Sequence, residues 1–162
     1  MANTYDRGDD IRLTATFTDS ASVVQDPTAA VILVKKPNDT WAGYKSTITW
    51  SDQGAWSPVS DTPILANGTG TAGQYYTASA AGSKDFGDGS ITFAVNDEVF
   101  YNGDVWHRIP TPSAATITKL STGVYYIDQS VAQSGTWYYR AEGVGTGQSG
   151  AESQFHIRES VF

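Results

Sequence analysis

An all-β sandwich is the fold this sequence predicts, and three observations lead to it. In Ile11-Arg-Leu-Thr-Ala-Thr-Phe17 the apolar Ile11, Leu13, Ala15 and Phe17 alternate with Arg12, Thr14 and Thr16. A period of two marks a strand with one face buried and one wet. Ala29-Ala-Val-Ile-Leu-Val34 is instead continuously apolar, as in a strand buried on both faces. The composition agrees: only 17% charged residues, 16 Gly, nine Tyr and a single Met suit strands and turns better than helices.

Taken in order, strand 11–17 is followed by a polar turn region, Asp19 to Pro27, and then by strand 29–34. Lys35-Lys-Pro-Asn-Asp-Thr40 supplies turn chemistry that ends the second strand. The texture then changes. Thr47-Ile-Thr-Trp50 is a short strand signal, followed by a glycine-rich approach through Gly54-Ala-Trp56-Ser-Pro58 and Thr62 to Gly73. Gln74–Ser79 and Ser90–Val95 read as strands, and Asn96–Pro110 reads as a hairpin around Asn102-Gly103, the pair suited to a two-residue type I′ turn. Pro110 and Pro112 are expected to stop that set. Beyond them the first style returns. Gly123–Asp128 places Tyr125 and Ile127 on one face, and Gly135–Gly143 places Trp137, Tyr139 and Ala141 on one face. A Gly-rich loop spans 143–150. Glu152–Arg158 closes the chain, with Phe155 and Ile157 expected on different sides or across a bulge. Residues 1–45 and 114–162 thus form one sandwich, interrupted by a small β-module over 46–113; an exposed loop tolerates such an insertion.

Composition also excludes. With no Cys there are no disulfides and no thiolate metal sites. The start, Met-Ala-Asn-Thr-Tyr-Asp-Arg-Gly-Asp-Asp10, lacks the basic and apolar segments of a signal peptide, so synthesis in a cytoplasm is expected. No apolar run reaches the length of a membrane span, and no membrane partner is expected. A net charge of −7 with scattered Lys and Arg argues against nucleic acid as a partner.

Gly123-x-Tyr125 followed by Ser134-Gly-Thr-Trp-x-Tyr-x-x-x-Gly143 resembles the late strands of bacterial and phage immunoglobulin-like domains. Asp6-Arg-Gly-Asp-Asp-Ile-Arg-Leu-Thr-Ala-Thr-Phe17 is similar to the first strand of such domains in small phage virion proteins. The middle run, Leu65-Ala-Asn-Gly-Thr-Gly-Thr-Ala-Gly-x-Tyr-Tyr76, Gly89-Ser-Ile-Thr-Phe-Ala-Val95 and Val99-x-Tyr-Asn-Gly-x-x-Trp106, resembles a module of phage fibre and tail proteins. It is also similar to chitin-type carbohydrate-binding modules, whose hairpin reads Gly-Asp-x-Val-x-Tyr-Asn-Gly; this chain has Asn96-Asp97 in place of Gly-Asp. The resemblance implies an immunoglobulin-like β-sandwich in a bacteriophage virion protein without enzymatic activity, made in the bacterial host cytoplasm. The role it implies is capsid decoration, with a tail or neck accessory protein or a glycan-binding adhesion module as alternatives. Implied partners are the major capsid or tail protein, copies of the chain itself and, for the adhesion module, a surface glycan.

A two-residue loop would set Tyr101 opposite Asp104, Phe100 opposite Val105, Val99 opposite Trp106, Glu98 opposite His107 and Asp97 opposite Arg108. One face then carries Val99, Tyr101 and Trp106, the other Phe100, Val105 and Ile109. A thin module buries one face, which leaves an aromatic face for a sugar ring, a neighbouring domain or another subunit. Trp106, Tyr101, Tyr75, Tyr76 and Trp56 are the candidate platforms, since flat rings meet the apolar side of a pyranose. The competing reading makes Trp106 and one Tyr the module's core. Asp85-Phe-Gly-Asp-Gly-Ser90 lacks the oxygen ligands of a calcium loop and reads as a turn. Arg7-Gly-Asp9 reads as solvated chain beside a strand. His107 and His156, without Cys, make a poor zinc site, and no metal or cofactor is expected. No motif resembles a nucleophile elbow or other catalytic device.

Overall fold

The computed structural model describes residues 4–47, 50–110, 112–145 and 151–159. Among the described residues fourteen strands run in chain order: β1 (Thr4–Asp6), β2 (Asp10–Thr16), β3 (Ala29–Lys35), β4 (Trp41–Ser46), β5 (Ser51–Trp56), β6 (Gln74–Ala78) and β7 (Gly82–Asp85), then β8 (Ser90–Phe93), β9 (Glu98–Tyr101), β10 (Trp106–Ile109), β11 (Pro112–Ser121), β12 (Val124–Ser130), β13 (Gly135–Val144) and β14 (Ala151–Arg158). No helix occurs among the described residues, so none could cross a membrane. The protein is all-β, arranged as a sandwich.

Eight strands pair in the order β1-β14-β13-β3-β4-β11-β12-β2. The ladder folds over at β11, whose residues 112–117 pair with β4 and whose residues 118–121 pair with β12, with a register shift in each ladder. The module's set ends at Ile109, just before Pro110, and Pro112 opens the next strand of the sandwich. A first position tolerates the missing N–H. The fold-over sets β2 and β12 against β3 and β13 around one core: Ile11, Leu13, Phe17, Ile32, Val34, Ile117, Tyr125, Ile127, Trp137, Phe155 and Ile157. Trp137 stacks on Phe155 at 6.0 Å and donates its indole N–H to the Gln133 carbonyl at 3.0 Å. Phe155 and Ile157 lie on the same side, contrary to expectation, because residues two apart share a face and β13–β14 pairing runs unbroken past both.

β3 is buried on both faces, as its apolar run predicts. Ala30, Ile32 and Val34 enter the sandwich core, whereas Ala29, Val31 and Leu33 face outward onto a second body of structure. That body is built from β5–β10, which form a four-stranded sheet β10-β9-β6-β5 and a ribbon β7-β8. It packs around Trp56, Leu65, Phe86, Phe93, Val99, Tyr101 and Trp106. Trp56 is fully buried with Phe93 edge-on at 5.1 Å. The expected strand 47–50 falls partly on residues 48 and 49, outside the described residues, and Trp50 itself precedes β5. The expected loop 143–150 likewise extends over 146–150, outside them.

One polar knot closes the sandwich near the β11–β12 turn. Asp26 pairs with Lys119 and accepts the Gly123 N–H at 2.8 Å and the Tyr125 hydroxyl at 3.1 Å. The Lys119 ammonium, then the Gly123 amide and the Tyr125 hydroxyl, hold the Asp26 carboxyl below its usual value. Burial, with the hydrogen bond to Asp26, pushes the Tyr125 phenol up to about 12. A carboxyl depressed in the folded state adds stability above its unfolded pKa, and that stability is lost as pH falls through the folded value. Asp26→Asn is therefore expected to lower stability at pH 7. Urea titrations from pH 7 to 3 should show the gap to the parent closing as the parent's carboxylate takes up its proton. A gap that stays constant with pH would show the carboxylate charge to be immaterial.

Candidate functional site

The rings nominated from sequence become core. Trp56 is fully buried, and Tyr101 and Trp106 are each only 4% exposed. Trp106 lies 5.1 Å from Tyr101 and 5.9 Å from Tyr76, and its indole N–H is shared between the carbonyls of Ala66 (3.0 Å) and Thr69 (3.1 Å). Gly70 passes so close that a Cβ there would sit 3.0 Å from the Tyr101 ring. Tyr76 packs half-buried against this cluster. Tyr75 is half-buried too, but its ring face is covered by the Lys45 ammonium, 3.7 Å from the ring centre. Burial and the Asp52 carboxylate push its phenol up to about 12. The structure brings Tyr76, Tyr101 and Trp106 together, with Trp56 in the same core and Tyr75 on the opposite side of the sheet. As a stacking surface the set is corrected: Trp56, Tyr101 and Trp106 fill the module, Tyr76 is half-covered against them, and Tyr75 lies half-buried at the seam.

The hairpin differs from its expected register. β9 and β10 pair Tyr101 with Trp106, Phe100 with His107, Val99 with Arg108 and Glu98 with Ile109, a shift of two residues. The Asn102 side chain is the cause. Its Oδ1 accepts the N–H groups of Asp104 and Val105, both at 2.9 Å, and the Asn102 backbone N–H donates to the Val105 carbonyl, drawing four residues into the turn. Only Gly103 has positive φ there, so the turn is not type I′. A two-residue slip preserves which side chains share a face. Val99, Tyr101 and Trp106 still point together, and Phe100 and Ile109 point the other way.

That second face meets a neighbouring unit, the sandwich of the same chain. Phe100 and Ile109 cover Ala29, Val31, Leu33 and Val144, with Trp50, Ala72 and Tyr75 at the margin. Gly43 makes the approach feasible: a Cβ there would lie 2.2 Å from Ile109 Cγ2. Ion pairs rim the seam. Lys45 bridges both Glu98 oxygens at 2.9 and 2.7 Å, and His107 Nδ1 lies 3.4 Å from the buried Glu142 carboxylate, whose other oxygen accepts from Arg140 at 2.6 Å. The Gly145 N–H donates to the Asn102 carbonyl at 3.0 Å.

The module covers only part of this outer sheet face. Cross-strand pairing aligns Gln154, Tyr138, Lys35 and Trp41 in one row over β14, β13, β3 and β4, beside a second row of Glu152, Arg140, Leu33 and Gly43. Tyr138 is 46% exposed and Trp41 36%, the most open rings among the described residues whose neighbours form a concavity. The Lys35 ammonium lies between them, 6.0 Å from each ring centre, and is tied to Asp39 at 2.7 Å. The Asp39 hydrogen bond and charge raise the Lys35 pKa. The concavity encloses about 520 Å³. Sequence reading missed this row because its members become neighbours only through the pairing of four strands.

Other candidates resolve as structure. Asp85 Oδ1 accepts the Gly87 and Gly89 N–H groups at 2.8 and 3.1 Å, a turn joining β7 to β8. Asp9 accepts the Asp6 N–H at 3.0 Å within the loop from β1 to β2. No group of three or more His, Asp or Glu residues converges to hold a metal ion among the described residues. No protein-family model, curated protein or solved structure matches this chain.

Proposed function

We infer that the chain is a non-enzymatic structural protein of a bacteriophage virion, acting in capsid decoration. The supporting observation is the pattern of exposed apolar side chains on two units held as one body. The sandwich exposes Val23 (58%), Val24 (45%) and Leu120 (60%), while the module exposes Val59 (72%), Ile64 (82%) and Val95 (53%). Both units are seamed by Phe100 and Ile109 against β3. A rigid body with an apolar contact on each half suits bridging between subunits better than turnover of a substrate. The layering of β11-β12-β2 against β14-β13-β3 follows the order of immunoglobulin-like sandwiches, which the virion resemblance implies. Its partners are then the major capsid protein and further copies of the chain. A tail or neck accessory role uses the same surfaces with a different partner. Adhesion through Trp56, Tyr75, Tyr76, Tyr101 and Trp106 loses support, because Trp56, Tyr101 and Trp106 are buried and Tyr75 and Tyr76 are half-covered.

Immunogold labelling of phage particles with antibody raised to this chain tests the reading. Gold over heads is expected. Gold confined to tails replaces decoration with the accessory role, and unlabelled particles refute a virion function altogether.

A further inference from the structure

We propose that the open row Trp41–Lys35–Tyr138–Gln154 is a binding platform for an extended neutral oligosaccharide, a site made of residues other than the module's rings and the exposed aliphatic side chains assigned above to virion contact. Tyr138 and Trp41 lie on strands separated by β3, two strand spacings apart, about 9–10 Å. The first and third rings of a linked pyranose chain match such a span, each offering an apolar C–H face to one aromatic ring. Lys35 stands between the rings, 6.0 Å from each centre, and pairs with Asp39.

The surrounding groups favour a sugar over other occupants. Gln154, Ser153, Glu152 and Arg140 border the concavity and supply both donors and acceptors for ring hydroxyls. Its volume of about 520 Å³ lies within the range of small-ligand clefts, about 300–1,000 Å³, whereas a protein partner generally needs a broad, flatter patch. Charge selects the sugar class. Lys35 is matched by Asp39, and Arg140 by Glu142 and Glu152, so no surplus cation awaits an acidic or sulfated chain. The net charge of −7 further disfavours polyanions. Bound chain would run across the strands, with the module's edge beside the second row limiting its position.

Isothermal titration with tetramers of β-linked glucose, of β-linked N-acetylglucosamine and of α-linked glucose tests the site, with tetragalacturonate as the acidic comparison. Saturable binding of at least one neutral tetramer is expected, weakened tenfold or more by Trp41→Ala and by Tyr138→Ala. Both rings are partly exposed, so both variants should stay folded with only a small drop in the thermal midpoint. A Tyr138→Phe variant should retain most affinity, because stacking needs the ring and not the hydroxyl. Absence of saturable binding by every neutral tetramer overturns the proposal. So does binding that both alanine variants leave intact, or binding of tetragalacturonate alone. Concentration-dependent self-association abolished by Trp41→Ala would assign the face to a second copy of the chain and overturn it equally. None of these results bears on where gold falls on a particle, so the two readings fail separately.

Discussion

Trp106→Ala is expected to destabilise the protein by about 3–5 kcal/mol, the range for deleting a large buried ring. Three losses combine. The ring leaves a void between Tyr76 and Tyr101, which cannot close it, since Tyr101 is pinned against Gly70. Two carbonyls, Ala66 and Thr69, lose their shared indole donor. The loop they belong to then loses an anchor, although the Asn67 side chain still accepts the Trp106 backbone N–H at 2.9 Å. Trp106→Phe separates the terms: it keeps most of the volume but no donor, and should cost roughly half as much. Chemical denaturation followed by tryptophan fluorescence and far-UV circular dichroism checks both values. A Trp106→Ala protein as stable as the parent would mean that the ring is not core, and would reopen the module's aromatics as a ligand surface.

The pattern of residues carried much of the sandwich and little of the seam. Alternation in β2 and the unbroken apolar run in β3 state directly which faces are buried, and both strands form where that pattern places them. β4 has no such signal. Its outward positions are Trp41, Gly43 and Lys45, and each is explained by something remote: an open groove, the approach of Ile109, and Glu98. Nothing local in Trp41-Ala-Gly-Tyr-Lys-Ser46 announces these partners. The hairpin was legible as a hairpin but not in register, because the choice between a two- and a four-residue turn lay with the Asn102 side chain and not with its backbone preference. Aromatic content misled for a physical reason. A ring that suits a sugar also fills a thin core, and sequence does not separate the two uses. Exposure does, and it moves the candidate surface from Trp106 and Tyr101 to Trp41 and Tyr138.

The seam also decides how the molecule unfolds, and Lys45→Met is expected to expose this by costing about 3 kcal/mol. Lys45 and Glu98 join β4 of the sandwich to β9 of the module, with side chains only 20% and 11% exposed. Removing one member of a buried pair leaves the other charge desolvated without compensation, a penalty of about 3–5 kcal/mol when burial is complete. Residual exposure places this pair at the lower end. Lys45 also loses its seat over Tyr75 at 3.7 Å, while the methionine chain retains apolar contact with the ring. The double change Lys45→Met/Glu98→Leu should recover most of the loss, because it removes both charges and leaves apolar groups of similar volume. The two single variants and the double therefore form a cycle whose coupling term, read from urea unfolding at pH 7, isolates the pair. The parent should unfold in one transition, with sandwich and module melting together across the apolar seam of Phe100, Ile109, Val31 and Leu33. Lys45→Met should separate that transition into two, the module first, because the penalty falls on its attachment and not on either core. Additive single effects and an unchanged single transition would show instead that Lys45 and Glu98 are a solvated rim contact, and that apolar burial alone holds the two halves together.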